Sequence, residues 1–82
     1  MRFTVTWHPL AINELAQIWL DADDRNAVTR ATSTIDQTLA YNPHNKGEEF
    51  YGDRLFVATP LAVTFTVNEK DRIVQVLQVW HQ

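Results

Sequence analysis

The chain has 82 residues, 45% of them hydrophobic, and no cysteine. That composition describes one small globular domain and excludes a disulfide framework or a thiolate metal site. Seven Lys and Arg stand against ten Asp and Glu, for a formal net charge of −3, which argues against a free-standing module held on nucleic-acid phosphates.

The opening stretch, "MRFTVTWHPL", alternates apolar and polar residues. It lacks the continuous apolar run of a signal peptide, and nothing later is long enough to span a bilayer. A cytoplasmic protein with no membrane association is expected. Phe3, Val5 and Trp7 fall on one face of residues 2–7, so the segment reads as a strand with one buried side. His8 is placed to cap the helix that Pro9 opens, since proline suits the first helical position. Ala11, Leu15, Ile18, Trp19 and Ala22 then recur at helical spacing over about 9–21.

"DADDRNA" interrupts that pattern, and Asp23 or Asp24 is a suitable N-cap for a second helix. Val28, Ala31, Ile35 and Leu39 form its apolar stripe, with Arg25, Arg30 and Gln37 off it. Asn42-Pro43 ends it, because the residue before a proline disfavours α geometry. Residues 43–53, "PHNKGEEFYGD", hold both glycines, lack periodicity and read as a loop. Three strands follow: "RLFVAT" up to the turn at Pro60, "LAVTFTV" up to the polar turn "NEKD", and "RIVQVLQVW". The last is apolar on both faces apart from Gln75 and Gln78, as a central strand or an edge strand with a partner would be.

The predicted order is β-α-α-β-β-β in a single α+β domain over 1–82. A small, mostly antiparallel sheet carries a helical hairpin on one face. Trp7, Leu15, Trp19, Ile35, Leu39, Val63, Phe65 and Val76 should be buried between the two layers.

No phosphate-cradling glycine loop, paired-histidine helix, or serine or cysteine nucleophile pattern is present. His8, His44 and His81 do not have metal-ligand spacing, so neither metal nor other cofactor is expected. The chemistry-bearing candidates are few. His81, closing the last strand beside Trp80 and Gln82, is a candidate general acid or base, or simply a solvent-exposed residue. With no long polar tail after the strand, these three residues should stay beside the fold. Glu48 and Glu49 supply loop carboxylates. Arg54 is a candidate to hold a phosphate or to pair with Asp53 or Asp71. Lys46 and Tyr51 complete the loop's polar cluster, and Trp80 suits base stacking, the core or an interface.

Four stretches carry a family likeness: "TVTWHPLAINELAQIWL", "AVTRATSTIDQTLAYNP", "GEEFYGDRLF" and "LAVTFTVNEKDRIVQVLQVW". Together with the element order they resemble the RelE/ParE superfamily, the toxins of type II toxin–antitoxin systems, also described as plasmid stabilisation proteins. The first stretch, with its "A..EL..I" pattern, is the most specific. The resemblance implies a compact toxin wrapped by an antitoxin protein. In its mRNA interferase branch it implies metal-independent mRNA cleavage on the ribosome. Carried over by position, Glu48 would be the base, Arg54 the phosphate holder and His81 the acid. Lys46, Tyr51 and Trp80 are the candidates for binding substrate. That mechanism requires His81 within a few ångströms of Arg54 and the Glu48 loop. Ribonuclease members generally carry an arginine on the strand that here reads "LAVTFTV", and they are usually basic. The branch that poisons DNA gyrase dispenses with such residues, and a member that only binds its antitoxin is a third outcome.

Overall fold

A computed structural model describes residues 2–41, 43, 48–50 and 53–82. The elements run β1 (Thr4–Trp7), α1 (Pro9–Asp21), α2 (Arg25–Tyr41), β2 (Glu48–Phe50), β3 (Asp53–Ala58), β4 (Leu61–Asn68) and β5 (Ile73–His81). The predicted β-α-α-β-β-β order is present, with one addition: the stretch read as a loop contains the short strand β2, paired antiparallel with β3. The strands lie in the order β1-β5-β4-β3-β2. Only β1 and β5 are parallel, so β5 is an inner strand flanked by β1 and β4.

Local chemistry sets the helix ends. The His8 Nδ1 accepts the Leu10 amide at 3.1 Å, and Pro9 opens α1. Asp24 caps α2, its Oδ1 accepting the Ala27 amide at 3.1 Å. Arg25 closes α1 from outside, donating to the carbonyls of Trp19 and Leu20 at 3.1 and 3.2 Å. The Trp19 carbonyl also accepts the Ala22 amide at 3.4 Å, and a cation beside carbonyls of the last turn complements the helix dipole.

The α2 stripe Val28, Ala31, Ile35 and Leu39 is fully buried against Leu61, Val63 and Phe65 of β4 and Val74, Val76 and Val79 of β5. Leu15 and Trp7 are half-buried and pack against this core. The Trp7 indole keeps its polar edge satisfied by donating to Asp36 Oδ1 at 2.8 Å. Trp19 corrects the expected core: it is 40% exposed. Its ring lies under the Arg25 guanidinium, 4.6 Å from the ring centroid. Helical spacing gives the direction of an apolar face, but not how far the neighbouring layer reaches along it.

β5 contains an irregularity that decides which side its last residues face. Gln78 pairs with Thr64 while Val76 pairs with Phe65, so Leu77 is an extra residue with no counterpart on β4. Such a bulge reverses the alternation of side chains beyond it. Val74 and Val76 are therefore buried before it, and Val79 after it. Thr59–Pro60, at the turn between β3 and β4, is a cis peptide. No helix among the described residues is long and apolar enough to cross a membrane.

Candidate functional site

His81 is exposed at the end of β5. It pairs with Leu61, on the helix-facing side that the bulge gives to Val79. The Gln82 amide donates to the Pro60 carbonyl at 2.8 Å, so the residues around His81 stay against the fold. β1 pairs with β5 only as far as Val76. Beyond that rung α1 replaces β1 along the β5 edge, and Glu14 Oε1 accepts the Val79 amide at 3.2 Å. A helical carboxylate thus completes a bonding position that a neighbouring strand would otherwise fill.

The space between α1 and the end of β5 is an open groove of about 540 Å³. Glu14, Asp21 and Asp23 line it together with Trp80 and His81, and no Lys or Arg among the described residues does so. Next to His81, β4 offers only Leu61, Ala62 and Val63, all buried.

Arg54 lies elsewhere. It is half-buried near the start of β3 and pairs with Phe65 of β4 and Glu49 of β2. Strand alternation sets it on the same face as Phe56 and Ala58. His81 pairs with Leu61, four residues from Phe65 along β4, and β5 and β3 are separated by β4. With about 3.4 Å per residue and about 4.8 Å between strands, the Arg54 and His81 Cα atoms are about 17 Å apart. The Glu48 backbone pairs with Leu55, so Glu48 is near Arg54 and remote from His81. Lys46 and Tyr51 lie outside the described residues, as do the details of the Glu48 side chain. The fold thus brings Glu48 and Arg54 onto adjoining strands, Trp80 and His81 onto a separate groove, and does not join the two.

A second groove, of about 520 Å³, runs along the outer side of the helical hairpin. Ile12, Ala16, Trp19 and Leu20 of α1 face Val28 and Thr32 of α2 across it. Ile12 and Leu20 are 53% and 57% exposed. α1 is therefore apolar on two sides: Ala11, Leu15 and Ile18 meet the core, while Ile12, Ala16, Trp19 and Leu20 face outward.

Glu14 is the functional-looking residue that sequence reasoning missed as a candidate, although it is the glutamate of the "A..EL..I" pattern. Ala11, Leu15 and Ile18 of that pattern pack on the core, and Glu14 fastens β5. Glu14→Ala should cost about 1–3 kcal/mol, because it strands the Val79 amide of a residue that is 2% exposed. Glu14→Gln keeps a carbonyl acceptor and should retain most of the stability. Paired urea titrations check this, and an equal loss in both variants would contradict the bonding role.

Among the described residues no group of three or more His, Asp or Glu is placed to hold a metal ion. No protein-family model matches the chain, and no curated protein matches it in sequence. Solved structures do. The toxin–antitoxin complex RelBE2 from Mycobacterium tuberculosis matches with a TM-score of 0.84 at 14% identity, over 100% of both chains. The chromosomal ParDE system from P. aeruginosa matches at 0.68 and 18% identity, over 98% of this chain and 96% of that one. The archaeal RelE–RelB complex from Pyrococcus horikoshii matches at 0.68 and 19%, over 99% and 96%. Across essentially its whole length, this chain has the fold of the RelE/ParE toxin–antitoxin proteins.

Proposed function

We propose that the chain is the toxin of a type II toxin–antitoxin pair, and that it acts by binding its target rather than by cleaving RNA. The fold it shares with RelE- and ParE-containing systems supports the first half. The second half rests on the surroundings of His81: three carboxylates line its groove and no cation does, among the described residues. A phosphodiester entering there would meet like charge, and the charge that develops during cleavage needs donors or cations fixed where it forms. Arg54, about 17 Å away by strand geometry, is poorly placed to supply it. A ParE-type target such as DNA gyrase is consistent with this arrangement.

The outer groove of the hairpin suits the antitoxin. Its walls are mainly apolar, with Thr29, Thr32 and Ser33 on the α2 side, and exposed Ile12 and Leu20 flank it. An amphipathic helix laid in it would bury both by the usual helix-in-groove mode. A helix that is apolar on two faces makes sense when both are covered.

Induced expression separates the two mechanisms. The Arg54→Ala, His81→Ala double variant should arrest growth as the parent does, with no new 5′ ends in cellular mRNA. Loss of arrest in the double variant, together with ribosome-dependent mRNA cuts by the parent, would establish the nuclease mechanism instead.

A further inference from the structure

The face of the sheet opposite the helices holds a buried hydroxyl with no partner. Thr64, on β4, is 2% exposed, and its Oγ1 makes no hydrogen bond. Alternation along β4 turns it away from Val63 and Phe65 of the core, onto the rung shared with Leu55 and Gln78. Burial of an unbonded hydroxyl is costly, and such orphans call for an explanation. Here the residue lines a cleft of about 330 Å³ at the β5 bulge, walled by His8, Leu10, Glu14, Asp53, Leu77 and Gln78.

The polar groups of these walls are one-sided. Asp53 and Glu14 contribute carboxylates, and Thr64 and Gln78 add neutral oxygens that accept hydrogen bonds. No Lys or Arg among the described residues lines the cleft. The Glu14 Oε1 is engaged by the Val79 amide, leaving its second oxygen available. His8 accepts the Leu10 amide through Nδ1, so a neutral His8 ring carries its proton on Nε2 and presents a flat face. These acceptors are too dispersed to enclose a metal ion, since no three acidic or imidazole groups among the described residues cluster closely enough. A planar cation with several divergent N–H donors matches separated oxygens better, and a guanidinium has five such donors in a fixed fork.

We propose that the cleft at the β5 bulge, formed by Asp53, Glu14, Thr64, Gln78 and His8, binds the guanidinium of an arginine side chain presented by a protein partner. The Asp53 carboxylate is the principal counter-charge, Thr64 and Gln78 accept the outer N–H groups, and the His8 ring stacks on the plane. This assignment does not depend on the toxin reading and holds for whichever protein supplies the arginine. It also gives the bulge a role: by inserting Leu77 it shapes the wall that faces Thr64.

The test is an NMR titration of the full chain with arginine blocked at both ends, Nα-acetyl-arginine-N-methylamide. Saturable shifts are expected at the amides of Asp53, Thr64, Leu77 and Gln78. The corresponding citrulline compound, which has the same shape and no charge, and putrescine should each bind at least tenfold more weakly. Asp53→Asn should weaken arginine binding at least tenfold, with the Ile35 and Leu39 signals unmoved to show an intact core. Thr64→Val supplies a readout that a merely structural hydroxyl would not move. It should stabilise the free protein, by removing the orphaned group, while weakening arginine binding threefold or more. Absence of saturable shifts at these amides, equal binding of citrulline or putrescine, or unchanged affinity in Asp53→Asn or Thr64→Val would overturn the proposal. Shifts confined to the groove around His81 would overturn it as well.

Discussion

Phe65→Ala is expected to lower the free energy of unfolding by about 3–5 kcal/mol. Phe65 is 0% exposed at the centre of the sheet, with Arg54 opposite it on β3 and Val76 on β5. It belongs to one buried cluster with Ile35 and Leu39 of α2, and β4 is held on both sides by β3 and β5, so little can collapse into the void. Small domains have only about 5–15 kcal/mol of net stability, so the variant should approach the unfolding threshold at room temperature. A urea titration should show a strongly reduced midpoint with the slope unchanged. Ile35→Val, which removes one methylene from an equally buried site, should cost only about 0.5–1.5 kcal/mol. A Phe65→Ala loss no larger than that of Ile35→Val would mean that the sheet and α2 are not packed as described.

What the sequence made legible was local. His8-Pro9, Asp24 and the proline after Asn42 each act within a few residues, and the helix ends lie where those residues put them. The α2 stripe was equally readable, because four apolar residues at helical spacing define one face whatever they meet. β2 was not readable: it is three residues long, two of them glutamates, and gains its strand character from pairing with β3. The bulge at Leu77 was hidden for a related reason. "VLQVW" is apolar on both faces, so either alternation fits, and only the register against β4 shows where the sides exchange. Glu14 was missed because its bond spans 65 positions in the chain.

The candidate site divides along the same line. That His81 closes a strand was legible, as was the absence of an arginine from the strand beside it. That Arg54 sits at the other end of the sheet was not, because the offset depends on the lengths of two hairpins and on one extra residue. The acidic wall around His81 comes partly from "DADD", which in sequence is only the break between two helices. Its placement against β5 follows from α1 taking over the edge where β1 stops.

The outer groove leads to the largest functional effect expected of a single substitution. If the outer groove takes an antitoxin helix as proposed, Ala16→Arg should weaken that binding by about 30-fold or more, equivalent to about 2 kcal/mol, the scale of an interface hot spot. Ala16 is exposed and lines the groove between Trp19 and Thr32, so the longer side chain occupies space that an incoming helix would use. Arginine is close to alanine in helix propensity, and exposed substitutions of this kind usually change stability by no more than about 0.5 kcal/mol. The fold should therefore remain intact, as the urea midpoint would show. Lys70→Ala, in the exposed turn between β4 and β5, serves as a control that should bind like the parent. Calorimetric titration against the antitoxin that the proposed function requires measures both. Parent-like affinity in Ala16→Arg would remove the outer groove as the docking site, and would leave the apolar outer face of α1 to be covered by some other contact.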